Sequence, residues 1–180
     1  MPDVMVIVGS RHGATRGIAD CIAETLRAEG LLVGFFDATE APGPQAADAV
    51  VIGGAAYMGK WLDEVTGYVR KHHDLLVRRP TWLFASGPVG DRVVDEHAAD
   101  VLAPPPFLVE AAQQLGARGT KVFYGRWDPD DPPIGVAERL FRLLPVSRDV
   151  LPVGDFRDWS TIEDWAREIA RDVKKVVATA

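Results

Sequence analysis

The sequence predicts an α/β fold, a doubly wound parallel sheet with helices on both faces, and three observations predict it. Apolar runs that fit strands alternate with amphipathic stretches that fit helices along the whole chain. Ala49–Gly54 is short and apolar at every position, as a strand buried on both faces requires. Val4–Val8 passes through a turn of glycine and hydroxyl residues straight into an amphipathic helix, the opening of a strand-helix crossover unit.

The first helix, about Thr15–Glu29, sets Ile18, Ile22 and Leu26 at four-residue intervals with Ala19 and Ala23 beside them, a stripe that packs on a sheet. Gly30 closes it, Leu31–Phe36 reads as the second strand, and Pro42, Gly43 and Pro44 mark a loop before the third strand, Ala49–Gly54. A second helix over Trp61–Leu76 turns Leu62, Val65, Val69 and Leu76 inward. Thr81–Ala85 is the fourth strand, and the stretch after it ends at Pro104-Pro105-Pro106, which excludes a helix interior there. A third helix, Leu108–Leu115, leads to the fifth strand, Lys121–Tyr124. From about 127 to 154 an inserted segment carries Pro129, Pro132 and Pro133 and a short amphipathic piece, Val136–Leu144. The last helix, Thr161–Val177, gathers Ile162, Trp165, Ile169 and Val173 on one face.

With 180 residues and 47% hydrophobic composition, residues 1–180 fit one domain with one well-buried core. The net charge of −6, with the signs interspersed, excludes a surface that tracks nucleic-acid phosphates. The acidity suits docking to a basic redox partner and equally suits plain solubility. Cys21 is the only cysteine, so one chain builds no disulfide, thiol pair or cysteine metal site; beside Ile22 it reads as a small buried apolar residue. No signal peptide and no apolar run of about 18 residues is present, so the expectation is a cytoplasmic protein without a transmembrane span. Val136–Leu144 reads as core cover, an interface or a peripheral membrane contact.

Chemistry concentrates in three loops. In Gly9-Ser10-Arg11-His12-Gly13-Ala14-Thr15, backbone N–H groups, hydroxyls and the positive helix end converge where an anion is favoured. A nucleotide-triphosphate loop would need one more residue between Gly9 and Gly13 and a lysine at Ala14, and the dinucleotide fingerprint fails at Arg11. Ser10-x-x-Gly13-x-Thr15 suits a terminal phosphomonoester; an ordinary strand-to-helix turn with Ser10 or Thr15 as N-cap uses the same residues. After the third strand, Gly53-Gly54-Ala55-Ala56-Tyr57-Met58-Gly59 lets backbone approach a planar ring on which Tyr57 stacks, while Trp61 covers the helix that follows. After the fourth strand, Ser86-Gly87-Pro88-Val89-Gly90 follows a ring edge with backbone N–H groups. His12, His72, His73 and His97 form no nucleophilic or metal-ligand pattern, so no catalytic side chain and no metal is assigned.

On Ser10-x-x-Gly13-x-Thr15 and the two later loops the chain resembles the flavodoxin family. The resemblance implies the flavodoxin-like strand order 2-1-3-4-5, a topology of which flavodoxin itself is the type example, and a ligand at the carboxyl ends of the strands where the order reverses. It also implies FMN as cofactor. Ser10, Gly13 and Thr15 would bind the phosphate with the intervening N–H groups of Arg11, His12 and Ala14, and Arg11 or Arg16 would add a charge-assisted contact. Ala55, Ala56, Tyr57, Met58 and Gly59 would cover one face of the flavin, and Ser86, Gly87, Pro88, Val89 and Gly90 its edge. A receiver domain shares the topology but needs an aspartate where Gly53-Gly54 stands. With Phe123-Tyr124-Gly125, Asp158-Trp159 and Trp165 to Ala170 included, the pattern looks like the flavodoxin-type, quinone-dependent protoporphyrinogen IX oxidases and their relatives. That implies an FMN oxidoreductase passing electrons from an organic substrate to a quinone. The alternatives are an electron carrier without its own substrate, or a flavin-free binding module. Asp128, Asp130 and Asp131 depart from the basic, aromatic insertion of the group's characterised branch.

Overall fold

The protein is described by a computed structural model covering residues 3–57, 60–87, 103–128 and 153–178. β1 (Val4–Gly9) is buried along its length because it lies inside the sheet, paired in parallel with β2 (Val33–Asp37) and β3 (Ala49–Tyr57). β3 turns back antiparallel through β4 (Lys60–Trp61). β5 (Thr81–Ser86) joins β3 in parallel and β6 (Gly119–Phe123) joins β5, so the main sheet runs β2-β1-β3-β5-β6. This is the expected doubly wound order, with the short β4 added at the end of its longest strand.

Successive residues of β1 face opposite sides of the sheet and so divide the core in two. Val4, Val6 and Val8 meet α1 (Ala14–Ala28) through Ile18, Ile22 and Leu26. Met5 and Ile7 meet α2 (Asp63–Lys71) and α3 (His73–Leu76) through Val65 and Leu76. α4 (Pro106–Leu115) covers the second face further along, and α5 (Trp159–Ala178) the first, with Ile162, Trp165, Ile169 and Val173 inward as their spacing predicts. Pro106 opens α4 at its first helical positions, where a missing N–H costs nothing. Cys21 is only half-buried at the edge of the first core, and burial raises its thiol pKa. Among the described residues no helix is long and apolar enough to cross a membrane.

Two element boundaries differ from the sequence reading for tertiary reasons. β3 continues past Gly54 to Tyr57 because Ala55 finds a partner in Ser86, and Ala56 and Tyr57 find theirs in Trp61 and Lys60. Trp61–Leu76 is not one helix. Trp61 belongs to β4, and the helix breaks at His72 (φ −112°, ψ 16°). There Tyr68 Oη donates to the Pro42 carbonyl at 2.8 Å, and the Tyr68 and His72 rings lie 4.6 Å apart. Burial lowers the His72 pKa and pushes Tyr68 up to about 12. Arg79 ties the same loop down by donating to the carbonyls of Ala47, Gln45 and Leu75.

Beyond the sheet, β7 (Arg126–Trp127) and β8 (Gly154–Asp155) form an antiparallel ribbon at the base of the inserted segment. Val136–Leu144 lies outside the described residues. After the ribbon, Asp158 caps α5: Oδ1 accepts the Thr161 N–H at 3.1 Å, and the Ser160 and Thr161 hydroxyls donate to the same carboxylate. These bonds, the Ser160 hydroxyl's first, lower its pKa from 3.8 to about 2. Asp158→Ala is expected to cost about 1 kcal/mol in urea unfolding at neutral pH, the usual worth of an N-cap. Because the folded-state pKa is depressed, this stabilisation is complete above the unfolded value of 3.8 and lost as pH falls toward about 2. A gap between wild type and variant that stayed constant over that interval would refute the cap.

Candidate functional site

The turn between β1 and α1 ends at Gly13, the helix N-cap, whose φ of +79° is a left-handed conformation that a side chain would strain. A Cβ built there meets nothing within 4 Å, so the loop is open on that side. Neither Ser10 nor Thr15 caps the helix, contrary to the ordinary-turn reading. The first backbone bond runs from the Gly17 N–H to the Gly13 carbonyl at 2.9 Å. The N–H groups of Ala14, Thr15 and Arg16 therefore have no acceptor among the described residues. Aligned with the positive end of the helix dipole, they suit an anion.

Thr15 instead turns into the protein. It is 3% exposed, and its hydroxyl lies 2.6 Å from that of Ser86, a residue 4% exposed and 71 positions away in the sequence. Two hydroxyls carry two protons, and only one occupies the bond between them, so the pair keeps one O–H to donate. Ser86 pairs in register with Ala55, and a Cβ on Gly87 would lie 3.1 Å from that of Ala56. The Gly87 N–H is fixed by the Phe123 carbonyl at 3.3 Å. Thr15, Ala55, Ala56, Ser86 and Gly87, drawn from three predicted loops, thus meet at the carboxyl ends of β1, β3 and β5.

Other candidates take different places. Ala55, Ala56 and the Tyr57 backbone are strand residues rather than loop. Gly53 and Gly54 make room for protein: a Cβ on Gly53 would stand 2.0 Å from the Phe84 ring, and one on Gly54 2.9 Å from Val65 Cγ2. Trp61 covers Gly54 and packs its ring 5.6 Å from Phe107; its indole N–H is buried without a partner among the described residues. Arg16 leaves the anion site, reaching Asp37 at 3.8 Å across the Phe35 ring. Ser10 and His12 are half-buried and Arg11 is exposed. Met58, Gly59, Pro88, Val89, Gly90 and the Tyr57 side chain lie outside the described residues.

Sequence reasoning missed Arg157. Its Nη1 donates to the Ala14 carbonyl at 3.3 Å, and its guanidinium lies 4.4 Å over the Trp159 ring. The only hint is the alternation Asp155-x-Arg157-x-Trp159, which says nothing of a partner 143 positions away. A separate cavity of about 590 Å³ opens between α2 and α4, walled by Trp61, Val69, Phe107 and Ala111, with exposed Lys60 and Arg70 beside it.

The rubredoxin oxygen:oxidoreductase of the anaerobe Desulfovibrio gigas superposes with a TM-score of 0.61 at 18% identity, covering 97% of this chain and 37% of that one. A flavodoxin from the domain Archaea gives 0.59 at 13% identity over 95% of this chain and 98% of that one. Oxidised flavodoxin 2 from Bacillus cereus gives 0.54 at 16% over 94% and 99%. At these identities the likeness is one of fold. Among curated proteins no match is found. The family model of the flavodoxin domain matches residues 5–130, most of the chain, and the protein therefore belongs to the flavodoxin domain family.

Proposed function

We propose that the protein binds FMN at the carboxyl ends of β1, β3 and β5 and works as a redox protein. The observation that carries this reading is the open row of N–H groups at Ala14, Thr15 and Arg16 beside a left-handed Gly13, with the Thr15–Ser86 hydroxyl pair behind it. That donor set fits a phosphomonoester dianion. Ser10, Arg11, His12, Gly13, Ala14 and Thr15 hold the phosphate; Ala55, Ala56, Tyr57, Met58, Gly59, Ser86, Gly87, Pro88, Val89 and Gly90 line the ring. Bound FMN supplies hydride and single-electron chemistry, and the protein supplies orientation and local charge.

Electrons then pass from an organic substrate to a quinone or a protein redox partner, in the cytoplasm, with a quinone acceptor bringing the protein to a membrane surface. The 590 Å³ cavity next to β4 supports a substrate of its own, being of the size and apolar character of small-molecule sites. The carrier reading draws on flavodoxins that this chain covers over 98% and 99% of their length. The deciding experiment is the visible spectrum of the purified protein, followed by FMN titration and mass identification of any released flavin. Bound FMN is the expected result, and no binding on titration would overturn the redox assignment. Phe107→Trp, which fills the cavity, is expected to reduce turnover with a quinone acceptor while FMN stays bound; unchanged turnover would place the substrate outside this cavity, and a wild type that binds FMN but shows no turnover assigns the carrier role.

A further inference from the structure

We infer that Arg157 is a positioning residue for the phosphate loop, clamping the first turn of α1 so that its N–H groups stay open to the anion; the inference rests on the FMN reading above. Little in the local sequence holds that turn. α1 has no side-chain cap and no acidic residue in its first turn, and glycines stand at its N-cap, Gly13, and again at Gly17. Left to itself, such a helix start frays.

Arg157 supplies from afar what is missing. Its side chain is 13% exposed, and all three guanidinium nitrogens donate hydrogen bonds. Nε donates to Asp155 Oδ1 at 2.7 Å and Nη2 to Asp155 Oδ2, the Trp159 ring lies beneath, and Nη1 reaches the Ala14 carbonyl. The contact depends on Gly17: a Cβ there would lie 2.6 Å from Nη1, so a side chain at this position evicts the guanidinium. Asp155 neutralises the charge and is itself held below its ordinary pKa by the Arg157 hydrogen bonds. The clamp consequently acts through geometry rather than through net charge at the phosphate. Lysine, a point charge without a planar fork, is no substitute.

The test titrates FMN and riboflavin side by side into wild type, Arg157→Ala, Arg157→Lys and Gly17→Ala, and follows amide hydrogen exchange over residues 13–17 of the flavin-free proteins. Arg157→Ala and Arg157→Lys are expected to weaken FMN about tenfold, the scale of one lost hydrogen bond, with riboflavin affinity unchanged and exchange at the helix start faster. Gly17→Ala improves helix propensity but displaces Nη1, so weaker FMN binding there separates the clamp from intrinsic helix stability. It also decides the matter should Arg157→Ala fail to fold. Equal loss of both ligands, or unchanged ligand ratios and exchange, overturns the inference. If wild type binds neither ligand the FMN reading falls, and the exchange rates still decide whether Arg157 holds α1.

Discussion

Gly53→Ala is expected to destabilise the protein by about 3 kcal/mol or more, the upper end of what overpacking a core costs. The added Cβ would stand 2.0 Å from two atoms of the Phe84 ring, which is fully buried and has nowhere to retreat. Phe84 is packed edgewise against Phe123 at 5.9 Å and Trp165 at 6.2 Å, and those two rings touch each other at 5.6 Å. A shift of Phe84 also drags its strand neighbour Ser86, so the hydroxyl pair at the site is lost with the packing. Urea unfolding measures the loss, and combining Gly53→Ala with Phe84→Leu should restore part of it. A single variant with the wild-type midpoint would show that the close approach is not what selects glycine.

Thr15→Val keeps the volume of the side chain and deletes its hydroxyl, leaving Ser86 buried without a partner. The expected cost is about 1–3 kcal/mol of stability, the penalty of an orphaned buried donor. On the proposed function, FMN affinity falls about tenfold while riboflavin affinity holds. Adding Ser86→Ala removes the orphan, so the double variant should recover stability without recovering FMN binding. That divergence separates a hydroxyl pair serving the ligand from one serving only the core. Recovery of both quantities together would assign the pair to the core.

What was legible in the sequence was what period and composition encode. The stripe Ile18, Ile22, Leu26 and the apolar run Ala49–Gly54 place the first helix and the third strand directly, and both are buried as expected. The turn between β1 and α1 was readable only as far as its glycine and hydroxyl residues go, since an anion cradle and an ordinary capped turn use the same set, and it took the structure to put Gly13 rather than Ser10 or Thr15 at the N-cap. Contacts across the fold were not readable. Ala55 and Ala56 have poor strand propensity and extend β3 only because Ser86 and Trp61 offer partners. Trp61–Leu76 carries a helical period throughout, yet Tyr68 and His72 break it by packing at the loop of Pro42. Gly53 and Gly54 read as room for a ring, and the room is taken by Phe84 and Val65. The Thr15 bond to Ser86 and the Arg157 bond to Ala14 join distant positions, and no local pattern announces either.

The ribbon of β7 and β8 sets Trp127 opposite Gly154, so two positions far apart in the sequence are pinned side by side. From the standpoint of the sheet, the length spent between those residues is a free variable, since doubling a loop whose ends are already pinned costs only about 0.6 kcal/mol. An architecture of this kind separates two design problems. The core and the anion site answer to packing and hydrogen bonding, while the length of chain between the two pinned strands answers to chain entropy. Arg157, two residues past the ribbon, sits where a change in that length would first be felt at the helix that faces the anion.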